Sequence, residues 1–441
     1  MNVSDGVPFF DERHPVAMAR APGRLDVMGG IADYSGSLVL QLPTRAEAAA
    51  SVQWDTTDPP AVTVSTTDTR AADGASEVRV ALATLLASYE DVRAWFARDP
   101  HARWAAYVAG AVTVVHHECG VAFDRGVRLH IASAVPAGKG VSSSAAIEVA
   151  AMRALVDLLG LSLAGRDLAL LCQKVENLVV GAPCGAMDQM TAACGVRGSL
   201  LALVCQPAEL RPPVALPADV AFVGIDSGIR HAVTGVDYGS VRVGAFMGYR
   251  IVADLAGLPV HAGDRTVRVD DPLWHGYLAN VTPDEWTSRF RDRVPERMSG
   301  AAFLARYGGT TDPVTTVDPD LEYAVRQPTA HPIREHRRAQ RFGALLAGTT
   351  TDDDMMSELG GLMYASHASY SACGLGSAGT DRLVELVREA GPAAGLFGAK
   401  ITGGGSGGTV VVLARPSSRP AIERIAERYG RETGRAARLI D

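Results

Sequence analysis

The sequence predicts a globular chain of two domains that mixes strands with helices, and three observations predict it. Its 441 residues suffice for two full hydrophobic cores, with 47% hydrophobic and 21% charged residues and no disorder signature. Val127, Leu129 and Ile131 alternate with Arg128 and His130, then a Gly- and Ser-rich turn leads into an apolar tract at 145–159 with helical spacing. Near the other end, Lys400-Ile-Thr-Gly-Gly-Gly-Ser-Gly-Gly408 feeds the β-branched run Thr409-Val-Val-Val-Leu413.

Taken in order, residues 19–42 begin with Pro-Gly punctuation, pass a Gly pair and end in a strand-like run. Arg24, Asp26 and Asp33 are charged residues in a small, apolar stretch, and such groups are rarely buried unless paired or engaged by a ligand. Read alone, the segment is a solvated hairpin turn. Residues 44–77 read as strands with a loop at 55–60, and 80–96 as a helical tract. A further helix at 104–115 carries Trp104 and Tyr107 at i and i+3, on one face. They form either a core pair or a wall for an adenine ring.

The turn is Pro136-Ala-Gly138-Lys139-Gly140-Val-Ser142-Ser143-Ser144-Ala145, between a strand and a helix that Gly160 would end. Free backbone N–H groups and the positive end of the helix dipole suit a phosphate there. It is not the usual P-loop, because Lys139 precedes the last Gly and the hydroxyls form a triplet. A strand–helix junction capped by Ser is the plain alternative. Residues 168–189 read as a helix running into a turn. Glu176 lies on its otherwise apolar surface, and Asp188 follows the breakers Gly181, Pro183 and Gly185. Of two carboxylates near a phosphate loop, one can hold Mg²⁺ and the other can orient or deprotonate a hydroxyl. Each taken alone is equally a surface acid or a helix cap.

The Pro-rich stretch 206–217 reads as a linker, which divides the chain into domains at 1–210 and 211–441. Beyond it lie a strand at 220–226, a loop at 227–238 and a helix at 244–255. Residues 270–328 are the least regular part, and helices resume at 333–346, 355–371 and 380–390. After the second glycine loop come a helix at 420–433 and a strand at 437–440.

Net charge is −7 with Lys and Arg scattered, so neither nucleic acid nor an anionic membrane surface is expected as a partner. The N-terminus lacks the basic and apolar regions of a signal peptide, and no apolar run is long enough to span a membrane. The six cysteines include no C-x-x-C pair, which favours free thiols in a reducing cytoplasm over disulfides or zinc.

Three motifs then stand in a fixed order: Pro22-Gly-Arg24 with Asp33-Tyr34, Pro136 through the serine triplet to Ala145, and Lys400-Ile-Thr followed by glycines. This order resembles the GHMP kinase superfamily from about Arg20 to Leu413, and Cys184-Gly-Ala-Met-Asp-Gln189 after Gln173-Lys-Val-Glu176 resembles its galactokinase branch. The resemblance implies an α+β fold of two domains, the first like the second domain of ribosomal protein S5, the second ferredoxin-like, with the active site in the cleft. It implies ATP and Mg²⁺ as cofactors, with ATP phosphates wrapped by the 136–145 turn. Ser144 and Glu176 match the Mg²⁺ positions, and Asp188 the catalytic carboxylate, kept ionised by Arg24. Trp104 and Tyr107 match a helix beside the adenine, and the C-terminal glycine loop would pack beside the phosphate loop. The implied partners are a small sugar and ATP, with the chain a monomer or weak homo-oligomer.

The substrate expectation comes from a departure. Galactokinases follow the glycine at position 29 with Glu-His-x-Asp-Tyr, whereas here Gly30-Ile31-Ala32-Asp33-Tyr34 follow. Asp33 keeps the place of a residue that grips ring hydroxyls; the two groups that address C6 of galactose are gone. L-arabinopyranose has the ring stereochemistry of galactose without that C6 arm, so L-arabinose is the leading substrate, with Asp33, Gly30, Ile31, Gly185 and Tyr238 around it. Galactose or a modified sugar is the alternative. A uronic acid would require a cation near C6, for which only Arg45 or Arg230 offers itself. A non-catalytic sugar sensor is disfavoured because Ser144-Ala145, Arg24 and Asp188 are intact.

Overall fold

The computed structural model describes residues 9–67, 76–229, 236–263, 266–348 and 351–441. Part of the 227–238 loop, including Arg230, therefore lies outside the described residues, as does the middle of the 44–77 tract. The chain forms two compact units: Met1–Arg24, Pro43–Ala137 and Ser142–Gly195 make one, and Leu25–Leu42, Gly138–Val141 and Val196–Asp441 the other.

The first strands are β1 (Ala17–Met28), β2 (Leu38–Asp55), β3 (Ala61–Thr66) and β4 (Glu77–Ala81). Helix α1 (Arg103–Cys119) precedes β5 (Gly126–Ser133), and α2 (Ser143–Leu158), α3 (Gly165–Lys174) and α4 (Met187–Cys194) follow. In the first unit, β4 pairs antiparallel with β3, β3 runs parallel to β5, and β5 pairs antiparallel with Ala48–Asp55 of β2. The alternation at 127–131 reflects this: Val127 and Leu129 are fully buried while Arg128 and His130 are not. Helix α2 is rich in Ala and Val, and its inner face is buried almost without interruption. It ends as the sequence indicates, at Gly160 with a positive φ of 65°.

In the second unit, β6 (Ser199–Val204) pairs with the first residues of β2 on one side and with β7 (Glu209–Ala215) on the other. The stretch expected to be a linker is thus a strand. Its prolines misled the reading because they sit on an edge, where a missing N–H costs no ladder bond. Next come β8 (Ala221–Asp226) and α5 (Val236–Leu255). The irregular 270–328 segment supplies Trp274, Trp286, Phe290, Phe303 and Tyr323 to a core built against α5.

Helices α6 (Arg326–Leu346), α7 (Asp353–Ala372) and α8 (Ala378–Ala390) lead to β9 (Leu396–Ile401) and β10 (Thr409–Ala414). Helix α9 (Arg419–Thr433) and β11 (Arg438–Ile440) close the chain. The sheet order β9-β10-β8-β11 is antiparallel throughout, as a ferredoxin-like domain requires. Its core joins Val223, Ile225, Val410 and Val412 to Leu383, Val387, Ile422 and Tyr429 from the helices.

Candidate active site

In the first unit, the strongest feature is a two-point ion pair. Arg24 Nε donates to Asp188 Oδ1 at 2.9 Å and Nη2 to Oδ2 at 3.0 Å, a fork that fixes the carboxylate plane. Arg24 is buried at 3% exposure, whereas the Asp188 side chain keeps 24%, so the acid remains reachable. The 19–42 segment is therefore no solvated hairpin: Arg24, Asp26 and Asp33 are all buried. Asp188 stands in the first turn of α4, and the preceding turn is pinned by Asn177, whose Oδ1 accepts from Cys184 N at 3.0 Å. Gly185 lies in that pinned turn.

Beside the pair is a buried acidic cluster. Gln189 Nε2 donates to Glu176 Oε2 at 2.5 Å and to Glu148 Oε2 at 3.1 Å, and the Ser144 hydroxyl also bonds Glu176. Burial first, then the Asp188 charge, pushes the Glu176 carboxyl up to about 7. Burial and the Glu176 charge push Glu148 well above the usual range. Glu148 was missed in the sequence, although an acid on the apolar helix α2 is the same signal that exposed Glu176. Trp104 and Tyr107 share α1; burial and then the charges of Glu176 and Glu148 raise the Tyr107 phenol, which places it near the acids. The Trp104 Nε1 is buried without a hydrogen-bond partner among the described residues.

Among the described residues, Glu148 Oε1 and Gln189 Oε1 are buried without a hydrogen-bond partner, and a cation there would offset the burial and the Asp188 charge that raise Glu176. Among the described residues no three His, Cys, Asp or Glu side chains form a metal-binding group. Ser144 and Glu176 would thus supply two ligands, leaving the others to phosphate and water, as is usual for Mg²⁺.

The turn before α2 is a run of left-handed backbone: Gly138, Gly140 and Ser142 have φ of 68°, 71° and 58°. Ser142 does not cap the helix with its side chain, and its Oγ is buried without a hydrogen-bond partner among the described residues, contrary to the plain capping alternative. The helix ladder begins with Ala146 N to Ser142 O, so the amides of Ser143, Ser144 and Ala145 precede it. Pro136 is the half-buried residue that enters the turn.

Within the second unit, Lys139 Nζ pairs with Asp226 Oδ2 at 3.0 Å. Its carbonyl accepts from Thr409 Oγ1 at 2.8 Å, and a Cβ on Gly408 would lie 2.7 Å from that oxygen. The C-terminal glycine loop thus abuts Lys139, and only glycine permits the approach.

In the same unit, Asp33 opens a 3₁₀ turn over Asp33–Ser35 and is 4% exposed. Gly30 has no room for a side chain: a Cβ would lie 1.9 Å from the Tyr370 hydroxyl and 2.1 Å from Asp26 Oδ2. Asp26 is fixed there by Lys400 Nζ at 2.7 Å, Tyr370 Oη at 3.1 Å and Gln41 Nε2 at 2.7 Å. Ile31 is buried with Tyr238, Tyr370, Leu375 and Ile401, so it fills a wall and offers no polar group. Tyr238 meets Tyr34 edge-on with ring centroids 6.2 Å apart. The cation beside Tyr34 is Arg242, its charge taken up by Asp312 through two contacts of 2.8 Å.

Profiles of known families match both halves: GHMP kinases N terminal domain over 106–196 and GHMP kinases C terminal over 354–435. Galactokinases of Chloroflexus aurantiacus and Streptomyces coelicolor are 30% and 31% identical, covering 96% and 94% of this chain and 90% and 88% of theirs. The chain belongs to the GHMP kinase family. An L-arabinokinase of Arabidopsis thaliana is 45% identical over 96% of this GHMP kinase, which spans only 45% of that protein's length. The fold agrees with the structure of Lactococcus lactis galactokinase complexed with galactose, at a TM-score of 0.72 and 19% identity over 97% of this chain and 93% of that one.

Proposed function

We propose that this GHMP kinase is an ATP-dependent sugar 1-kinase whose substrate is L-arabinose and whose product is β-L-arabinose 1-phosphate. The observation that carries the substrate assignment is Gly30, closed off by Tyr370 and Asp26 beside the buried Ile31. A sugar with a C6 hydroxyl would find no polar partner from positions 30 and 31, whereas a pentopyranose leaves none unmet. The 45% identity to an L-arabinokinase supports the same choice. A uronic acid is disfavoured because Arg242 is already neutralised by Asp312.

In this reading Asp33 and Tyr238 bind the ring, and Asp188 accepts or orients the proton of the anomeric hydroxyl. Arg24 holds the Asp188 carboxylate in one plane, so the acceptor lone pair is set before the sugar arrives. The anomeric oxygen bonds to the γ-phosphorus, the bond to the bridging oxygen breaks, ADP leaves and the proton passes to Asp188. The amides at 143–145, the Ser142 hydroxyl and Lys139 would cradle the phosphates, and the α1 aromatics would border the adenine. When bound at Ser144 and Glu176, Mg²⁺ supplies charge neutralisation between the phosphates.

The test is ATP-dependent ADP release by the purified chain with L-arabinose, D-galactose, D-galacturonate and D-glucuronate, with Asp188→Asn as control. L-arabinose turnover that drops about 10²–10⁴-fold in the control is expected. Preference for galactose would leave a galactokinase, and silence on every sugar would favour a sugar-binding regulator.

A further inference from the structure

The turn bearing Asp33 closes on itself through backbone bonds from Ser35 N and Ser37 N to Ala32 O and from Gly36 N to Asp33 O, but the Gly29, Gly30, Ile31 and Ala32 that lead into it carry no polar side chain. The approach and exit of that turn are also held from outside, chiefly by one helix. Gly29 N donates to Glu335 Oε1 at 3.0 Å, His331 Nε2 donates to Gly30 O at 2.9 Å, and Leu38 N donates to His336 Nδ1 at 2.9 Å. Gln206 Nε2 adds a contact to Gly36 O at 2.8 Å.

Glu335 lies one turn after His331 on the same face of α6, and His336 is next to it in sequence. His331 and Glu335 are themselves locked. His331 Nδ1 accepts from Ser369 Oγ at 2.8 Å, which leaves Nε2 as the protonated nitrogen facing the carbonyl. Glu335 accepts from Ser366 Oγ at 2.7 Å and from Arg338 Nε at 2.6 Å. All three side chains are buried, His331 at 1% and Glu335 at 0% exposure, so their hydrogen bonds to the turn are made away from solvent.

We propose that His331, Glu335 and His336 are positioning residues for sugar binding: α6 clamps the 29–38 backbone so that Asp33 is presented in a fixed pose. The inference rests on the proposed sugar kinase activity. It also gives a purpose to the Pro328-Thr-Ala-His-Pro332 stretch, which nothing in the reaction itself uses.

The test is steady-state kinetics of the full chain, with the sugar that the wild type turns over, for His331→Ala, His331→Gln and Phe342→Leu. Phe342 lies on the same helix, fully buried with its ring centroid 6.3 Å from that of Phe222, and its side chain can make no hydrogen bond to the turn. His331→Ala should raise the sugar KM about tenfold while the ATP KM stays within about twofold. His331→Gln, whose amide can still donate to Gly30 O, should recover to within about threefold of the wild type. Phe342→Leu should lower Tm without moving the sugar KM. Should His331→Ala not fold, Ser369→Ala takes its place, with a rise of about threefold expected. An unmoved sugar KM, an equal rise in Phe342→Leu, or no rescue by Gln overturns this inference alone. A wild type that phosphorylates no sugar overturns the proposed function and this inference with it.

Discussion

At residue scale, Gly30 shows how a small departure acquires a physical meaning. The glycine is required less by its φ than by its neighbours, since the Tyr370 hydroxyl and the Asp26 carboxylate already fill the volume of a Cβ. Gly30→Ala should therefore cost about 1–3 kcal/mol of stability by overpacking, read as a lower midpoint in urea at unchanged slope. An unchanged midpoint would mean that Tyr370 swings aside freely. Arg24, Glu176 and Asp188 stand out in the sequence as charged residues among small or apolar ones, whereas the pairings came from the family resemblance; the structure brings Arg24 onto Asp188 and Ser144 onto Glu176. The sequence could not reveal that Lys139 spends its charge on Asp226, because that contact spans a long stretch of chain.

At the scale of elements, α6 was read too short. Its prolines at 328 and 332 look like a stop, yet Pro328 falls in the first turn, where the lost N–H has no helical partner, and the helix tolerates Pro332 inside. Burial lowers the His331 pKa from 6.5 to about 4, so its neutral form stabilises the fold above the unfolded value. That contribution is lost as pH falls from 6.5 toward 4, despite the nearby Glu335 carboxylate, and His331→Gln lacks the term. The stability advantage of wild type over His331→Gln should narrow as urea melts are moved from pH 7 to 4.5. A constant difference would show that His331 does not titrate in this window.

At the scale of the whole molecule, strands, helices and the order of the glycine loops were readable because each has a local period or breaker. The partition into units was not. The second unit includes Leu25–Leu42 and Gly138–Val141, short segments that leave the first unit and return to it, and no compositional change marks such excursions. They bring the Asp33 turn and Lys139 into the same unit as the C-terminal glycine loop, so motifs far apart in sequence serve one unit. The buried Lys400–Asp26 pair ties the first and third motifs together, with both side chains at 0% exposure. Removing one partner alone would strand a buried charge, which explains why both charges persist in an apolar interior.

The central claim is that the closed position 30 selects a pentose. Incubating the chain with limiting ATP and equal concentrations of L-arabinose and D-galactose reports the ratio of kcat/KM directly, through the two 1-phosphates resolved by phosphorus NMR. The account predicts arabinose 1-phosphate in at least about tenfold excess, the effect of roughly 1.4 kcal/mol in the transition state. Equal amounts, or an excess of galactose 1-phosphate, would contradict it.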